Sequence, residues 1–227
     1  MIVSIARPYF CPYPGYFARI LASDAFVVLD EVQMPLGSTW ITRNRFKNDQ
    51  GTMWMGIPIW KKGLGLQKIS AVKICHEGRW HFKHLESLKQ AYLHAPYREA
   101  HMKIFERLVS PEQQTIVDMD MELISYVLRE LGNTTRVIRM SELGVRGQGT
   151  GLIVDICRML GASHYLAQDS AKKWLDGMLF EQAGIEVVFF KYHCPTYPQL
   201  WGPFIPNLSI FDLLFTCGPK TLEIMDL

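Results

Sequence analysis

The stretch Ile2-Val3-Ser4-Ile5-Ala6-Arg7-Pro8-Tyr9-Phe10-Cys11-Pro12-Tyr13-Pro14-Gly15-Tyr16-Phe17-Ala18-Arg19-Ile20-Leu21 decides how this chain is read. Residues 2–6 are a short apolar run of the kind that forms a buried strand. Pro8, Pro12, Pro14 and Gly15 then exclude both strand and helix. From Gly15 onward Phe17, Ile20 and Leu21 fall at helical spacing. The order is therefore strand, stiff loop, helix N-terminus. In an open α/β sheet, ligands sit where the carboxyl end of a strand meets such a helix start. Unpaired N–H groups and the positive dipole end favour an anion there. Arg7, Tyr9, Tyr13 and Tyr16 cluster at this turn, and Arg7, Tyr9 and Tyr16 are candidate substrate-binding residues.

Outward from this stretch, residues 25–31 read as a second buried strand, parallel to the first because a helix separates them. Asp30, at its end, is either a capping or loop-anchoring carboxylate or a catalytic one. In the catalytic reading it faces a cleft bounded by Tyr16, Arg43 and residues 197–199. Residues 39–47 and 52–60 flank a polar turn at 48–51 and predict a β-hairpin. Alternation puts Ile41, Arg43, Arg45 and Lys47 on one face and Trp40, Thr42, Asn44 and Phe46 on the other. The basic face is either solvated or a grip on phosphate or carboxylate. Arg43 is a catalytic candidate; Trp40, Asn44 and Arg45 are substrate-binding candidates.

A short strand is expected at 68–74, and helices at 80–92, at 97–109 and from Pro111, the last ended by Gly132. The α/β rhythm resumes with strands at 135–140, 164–167 and 185–190 and a Gly-rich connection at 147–151. That connection lacks the Walker lysine and the dinucleotide spacing. A helix from Ala171 places Lys172 in its first turn, where the dipole disfavours a cation unless an anion faces it. Residues 192–209 hold four prolines and wrap over the sheet edge, with Tyr197 and Gln199 as binding candidates and His193 as a catalytic one. Ser209 caps a last helix.

Composition narrows the function classes. The chain has 227 residues, a net charge of +2 and 48% apolar residues, a globular composition without the basic excess of a nucleic-acid binder. Its five cysteines lack metal spacing and an obvious pairing, so all are expected free, in a cytoplasmic protein. The histidines at 76–101 lack partner carboxylates at zinc spacing, and no metal site is expected. Nor does any run reach the length of a membrane span.

The chain resembles the WbqC-like proteins of bacterial O-antigen and surface-polysaccharide synthesis. The likeness lies in Arg7-Pro8-Tyr9-Phe10 through Pro14-Gly15-Tyr16-Phe17, Val28-Leu29-Asp30-Glu31-Val32-Gln33 and Trp40-Ile41-Thr42-Arg43-Asn44-Arg45. It continues through Ala95-Pro96-Tyr97, Ser163-His164-Tyr165-Leu166, Trp174-Leu175-Asp176 and Phe204-Ile205-Pro206-Asn207-Leu208-Ser209. Arg7 stands where the family pattern has Gln, and Gln168-Asp169 where Ser-Gly is usual. The resemblance implies an amino-sugar transferase moving an acyl or aminoacyl group, such as glycine, with a nucleotide-linked substrate. A non-catalytic sugar-binding or scaffolding protein is the alternative. A looser likeness to pantothenate-synthetase-type ligases implies ATP and Mg²⁺, but their His-x-Gly-His is absent. The expected architecture is a single three-layer, Rossmann-like α/β domain over 1–227, its mostly parallel sheet interrupted by a hairpin-plus-helices insertion at about 32–110.

Overall fold

The structure, a computed structural model, describes residues 1–37 and 39–225. Strand β1 (Ile2–Ala6) leads through the Pro-rich loop into α1 (Pro14–Leu21) and back to β2 (Ala25–Val28). The chain then leaves the sheet for a hairpin, β3 (Arg43–Asn48) and β4 (Gly51–Gly56). Three helices follow, α2 (Trp80–Ala91), α3 (Arg98–Leu108) and α4 (Ile116–Glu130). It returns as β5 (Arg136–Arg139), α5 (Met140–Leu143), α6 (Gly149–Met159), β6 (His164–Gln168), α7 (Gly177–Gln182) and β7 (Glu186–Phe190). It closes with α8 (Ile210–Cys217) and α9 (Thr221–Ile224).

The sheet order is β5-β2-β1-β6-β7, with every pairing parallel. Alternation along β2 sends Phe26 and Val28 to one face and Ala25 and Val27 to the other, and all four are buried. Phe26 and Val28 join α1, α3, α4 and α8 in the larger core; Ala25 and Val27 join α6 and α7 in the smaller. The connection out of β1 therefore covers one face and the connection out of β6 the other. These neighbouring strands flank a topological switch point, where the helices diverge and a crevice opens at the carboxyl edge.

Several elements depart from expectation for local physical reasons. Residues 68–74 form a 3₁₀ turn (Ile69–Ala71) with isolated bridges to Gln33, Ile59 and Thr115. Ile69, Val72 and Ile74 are buried there, but no neighbouring strand runs alongside them. Helix α4 starts at Ile116 rather than after Pro111, because the Thr115 hydroxyl accepts the Asp118 N–H at 3.1 Å. The expected helix from Ala171 is a 3₁₀ turn (Asp169–Lys173). Lys47 is buried rather than solvated, because residues 199–203 lie over it.

The larger core encloses Asp120, which accepts the Tyr16 hydroxyl at 3.4 Å. Burial pushes its carboxyl well above the ordinary carboxylate range. The folded chain thus holds this proton more tightly than the unfolded chain does. The resulting stability is present below the unfolded carboxylate pKa and is lost as pH rises through the raised folded value. Asp120→Asn keeps an acceptor for Tyr16 without the charge. Urea denaturation across that pH interval should show the variant losing less stability than the parent on going from acid to neutral pH. An identical decline in both would place the pH dependence elsewhere.

Candidate functional site

Two clefts open at the β1/β6 crevice and share Tyr9, Arg19, Gln168 and Ser170. The first, of about 360 Å³, runs beneath the hairpin and the tail, with aromatic walls from Tyr13, Trp40, Phe190 and Tyr192. Its polar side comes from Asn44, Arg45, Gln168, Ser170, Lys191 and Asn207, with one carboxylate, Asp169, that is ion-paired to Lys172. The second, of about 320 Å³, runs toward α6 between Leu29, Ile153, Tyr165 and Trp174, with Arg7 at its rim. Both volumes fall at the lower end of the range for small-molecule sites.

The Pro-rich loop is shaped by the hairpin. Cys11 has a φ of 46°, in the left-handed region that non-glycine residues avoid. Asn44, 2% exposed, donates from Nδ2 to the carbonyls of Phe10 (3.0 Å) and Cys11 (2.7 Å) and accepts the Arg45 N–H on Oδ1 at 2.8 Å. Arg45 reaches the other wall, its Nη2 donating to the carbonyls of Pro206 and Asn207, each at 3.1 Å. Its buried Nε, the Tyr192 hydroxyl and the Asn207 Oδ1 have no hydrogen-bond partner. All three residues line the first cleft, and such buried polar atoms are few in a folded chain.

Arg19 occupies the wall common to both clefts. It is 5% exposed; Nη1 donates to the Ile5 carbonyl at 3.2 Å and the guanidinium lies 5.8 Å from the Phe26 ring. Among the described residues no carboxylate ion-pairs with it. The ionisable groups that feel its charge are the hydroxyls of Tyr13, Tyr16 and Tyr165. It draws their pKa down against a burial effect that outweighs it and leaves all three raised. The chain fold thus surrounds one buried cation with space and tyrosines. That arrangement is costly unless an anion arrives to share the site.

Of the residues expected from sequence, Tyr9, Trp40, Asn44 and Arg45 meet in the first cleft, and Arg7 and Tyr9 in the second. The others lie elsewhere. Asp30 does not face the cleft: it is 2% exposed, with Oδ1 accepting the Ser141 N–H (2.9 Å) and Oδ2 the Ser141 hydroxyl (2.6 Å). The anchoring alternative is the one its geometry matches, since it holds the start of α5 to the end of β2. Arg43 stands on the exposed side of the hairpin, stacked 4.6 Å over Trp54. Lys172 is ion-paired to Asp169 at 2.6 Å and lies over Phe189. His193 is exposed and lines neither cleft. Tyr16 is core, its hydroxyl donating to the Arg7 carbonyl at 3.2 Å. Tyr197 is buried edge-on to Phe204, and Gln199 bonds the Ile205 backbone in both directions at 2.9 Å.

Arg19 carries no strong local signal in the sequence. One signal was present: it stands three residues from Tyr16 and one from Ile20, on a helix with no polar face. The five cysteines are unpaired, and no group of metal-binding side chains occurs among the described residues. Nor is any helix there long and apolar enough to cross a membrane.

Gly15 is fixed by the cleft wall. A Cβ at this position would lie 2.5 Å from both Tyr13 Cε2 and Tyr192 Cδ1. Helix propensity alone favours alanine over glycine by up to ~1 kcal/mol. Displacing two packed rings typically costs about 1–3 kcal/mol. Gly15→Ala should therefore lower stability in urea denaturation; a net gain would show that the rings move aside freely.

A family model described as the WbqC-like protein family matches residues 7–224. An uncharacterized protein of Mycobacterium tuberculosis, Rv1507c, is 30% identical over 221 residues, covering 96% of this chain and 94% of the relative. No solved structure matches the chain. With the match spanning the hairpin, the tail and every strand of the sheet but β1, the chain belongs to the WbqC-like protein family.

Proposed function

We propose that this protein is a transferase of surface-polysaccharide synthesis that binds a nucleotide-linked amino sugar in the first cleft and acylates its amino group. The single observation that carries this reading is Arg19, a buried guanidinium without a carboxylate partner, opening onto a cleft at the sheet's switch point. A diphosphate bridge is the natural counter-charge for it, with Arg45 and Lys191 on the same cleft. Tyr13, Trp40 and Tyr192 supply flat faces suited to a base and a pyranose ring. Family membership is the second support, since it agrees with the sequence resemblance along nearly the whole chain.

In the reaction, the sugar's free amine attacks the acyl carbon of an activated donor such as a thioester. The C–N bond forms, the bond to the thiolate leaving group breaks, and the amine proton passes to solvent or to the departing sulfur. The contribution of this chain is to fix the sugar nucleotide, converting an encounter into an oriented complex.

Titration calorimetry with UDP-glucosamine, UDP and free glucosamine tests the reading. The nucleotide-linked sugar should bind best. Arg19→Gln should weaken it by about 1.5–3 kcal/mol, the worth of hydrogen bonds to a charged group. The variant should stay folded, because removing an unpaired buried charge relieves desolvation. Equal binding of free glucosamine by parent and variant would instead favour a sugar-binding module.

A further inference from the structure

The second cleft has a different chemistry from the first. One wall is aliphatic and aromatic, from Leu29, Ile153, Tyr165 and Trp174; Tyr9, Gln168 and Ser170 bring polar groups, and its cations are Arg7 and Arg19. Arg19 is 5% exposed, whereas Arg7 is exposed. No acidic side chain lines it. Ile153 and Tyr165 are themselves 5% and 3% exposed, so the apolar wall is a fixed part of the smaller core. A cavity of about 150 Å³ accommodates a molecule the size of benzene; at about 320 Å³, this cleft has room for a longer body and a polar head.

From this geometry we infer that the second cleft is a binding site for a carboxylic acid with a small apolar body. The carboxylate lies on the Arg19 guanidinium and the body between Ile153 and Trp174. An apolar tail gains by leaving water, at roughly 25 cal/mol per Å² buried. The carboxylate supplies the charge that Arg19 lacks, in the planar geometry a guanidinium matches best. A phosphate would answer the charge equally well but not the wall of Leu29, Ile153 and Trp174, and an amine would be repelled by both arginines. The two clefts share Arg19, Gln168 and Ser170, so an acid bound here lies next to a ligand in the first cleft, the two anions dividing the N–H donors of the one guanidinium. The inference deepens the proposed function by naming the acyl component, and rests on that reading only for the acid's destination.

Protein labelled with 5-fluorotryptophan separates the two sites, because Trp174 borders only the second cleft and Trp40 only the first. Hexanoate is the probe, with hexylamine and 1-hexanol matched in length. Hexanoate should shift the Trp174 resonance saturably and leave Trp40 unmoved, with the alcohol and amine at least tenfold weaker. Arg19→Gln should reduce hexanoate to the affinity of the alcohol, and Trp174→Ala, at a residue 56% exposed, should weaken it without unfolding the chain. Equal binding of the three probes, a response at Trp40 instead, or no saturable shift at Trp174 would overturn the site. UDP-glucosamine read at Trp40 in the same sample keeps the outcomes apart. Its failure beside a hexanoate response sinks the sugar-nucleotide reading alone, and the converse sinks the acid site alone.

Discussion

Asn44 satisfies two carbonyls that the left-handed turn at Cys11 would otherwise leave unpaired in a buried place. A left-handed non-glycine residue costs of order 1–3 kcal/mol and persists only where its surroundings over-determine it. Here the surroundings are a side chain from the hairpin, thirty-three residues away from Cys11 in the chain. That contact joins the insertion to the central sheet. It sets the path of the Pro-rich loop, and so the position of Gly15 and of α1, whose buried face carries Arg19. The Phe10 N–H, donating to the Trp40 carbonyl at 2.9 Å, adds a second tie between the loop and the hairpin.

The hairpin organises the tail by the same means. Lys47 donates from Nζ to the Gln199 side chain (3.1 Å) and the Pro203 carbonyl (2.7 Å), while Arg45 holds residues 206 and 207. The Ser209 N–H donates to the Arg45 carbonyl and the Ile210 N–H to the Pro12 carbonyl, each at 2.8 Å. Burial lowers the Lys47 pKa, and the carboxylate of Asp212 pulls it back up. Tyr92 donates to Asp212 at 2.7 Å and to that extent steadies the carboxylate, whose own pKa burial raises. Residues 192–209 lack regular structure yet are held in place, because buried polar groups of the hairpin have their partners there.

The contrast between Asp30 and Arg19 shows how the crevice is made ready. Both are buried charged residues close to the carboxyl edge of the sheet. Asp30 finds a backbone N–H and a hydroxyl at the start of α5, so its charge is answered within the chain. Arg19 finds one carbonyl and a ring face. An internally satisfied charge holds structure together. An unsatisfied one, facing open space, is the feature that differential binding of an anion would exploit.

The sequence by itself determined the architecture. Prolines that forbid regular structure, apolar runs bounded by turn residues and a polar turn between extended runs are local signals. Each is decided by backbone sterics or by periodicity, which is why the parallel sheet, the hairpin and the Ser209 cap were legible. It also located the Pro-rich turn and Tyr9, Trp40, Asn44 and Arg45 beside the cleft. Only the tertiary structure decided which charges face one another. Period two puts Arg43, Arg45 and Lys47 on a common face, yet one is exposed, one bridges to the tail and one is buried. The fates of Arg45 and Lys47 depend on residues 199–207, more than a hundred and fifty positions away. Asp30 was misplaced because Ser141 lies 111 residues further along the chain. The meaning of Arg19 lies in the absence, among the described residues, of a carboxylate paired with it, which no local pattern records. Alternation and spacing describe a residue's direction; whether its charge meets a partner is fixed by the packing of distant segments.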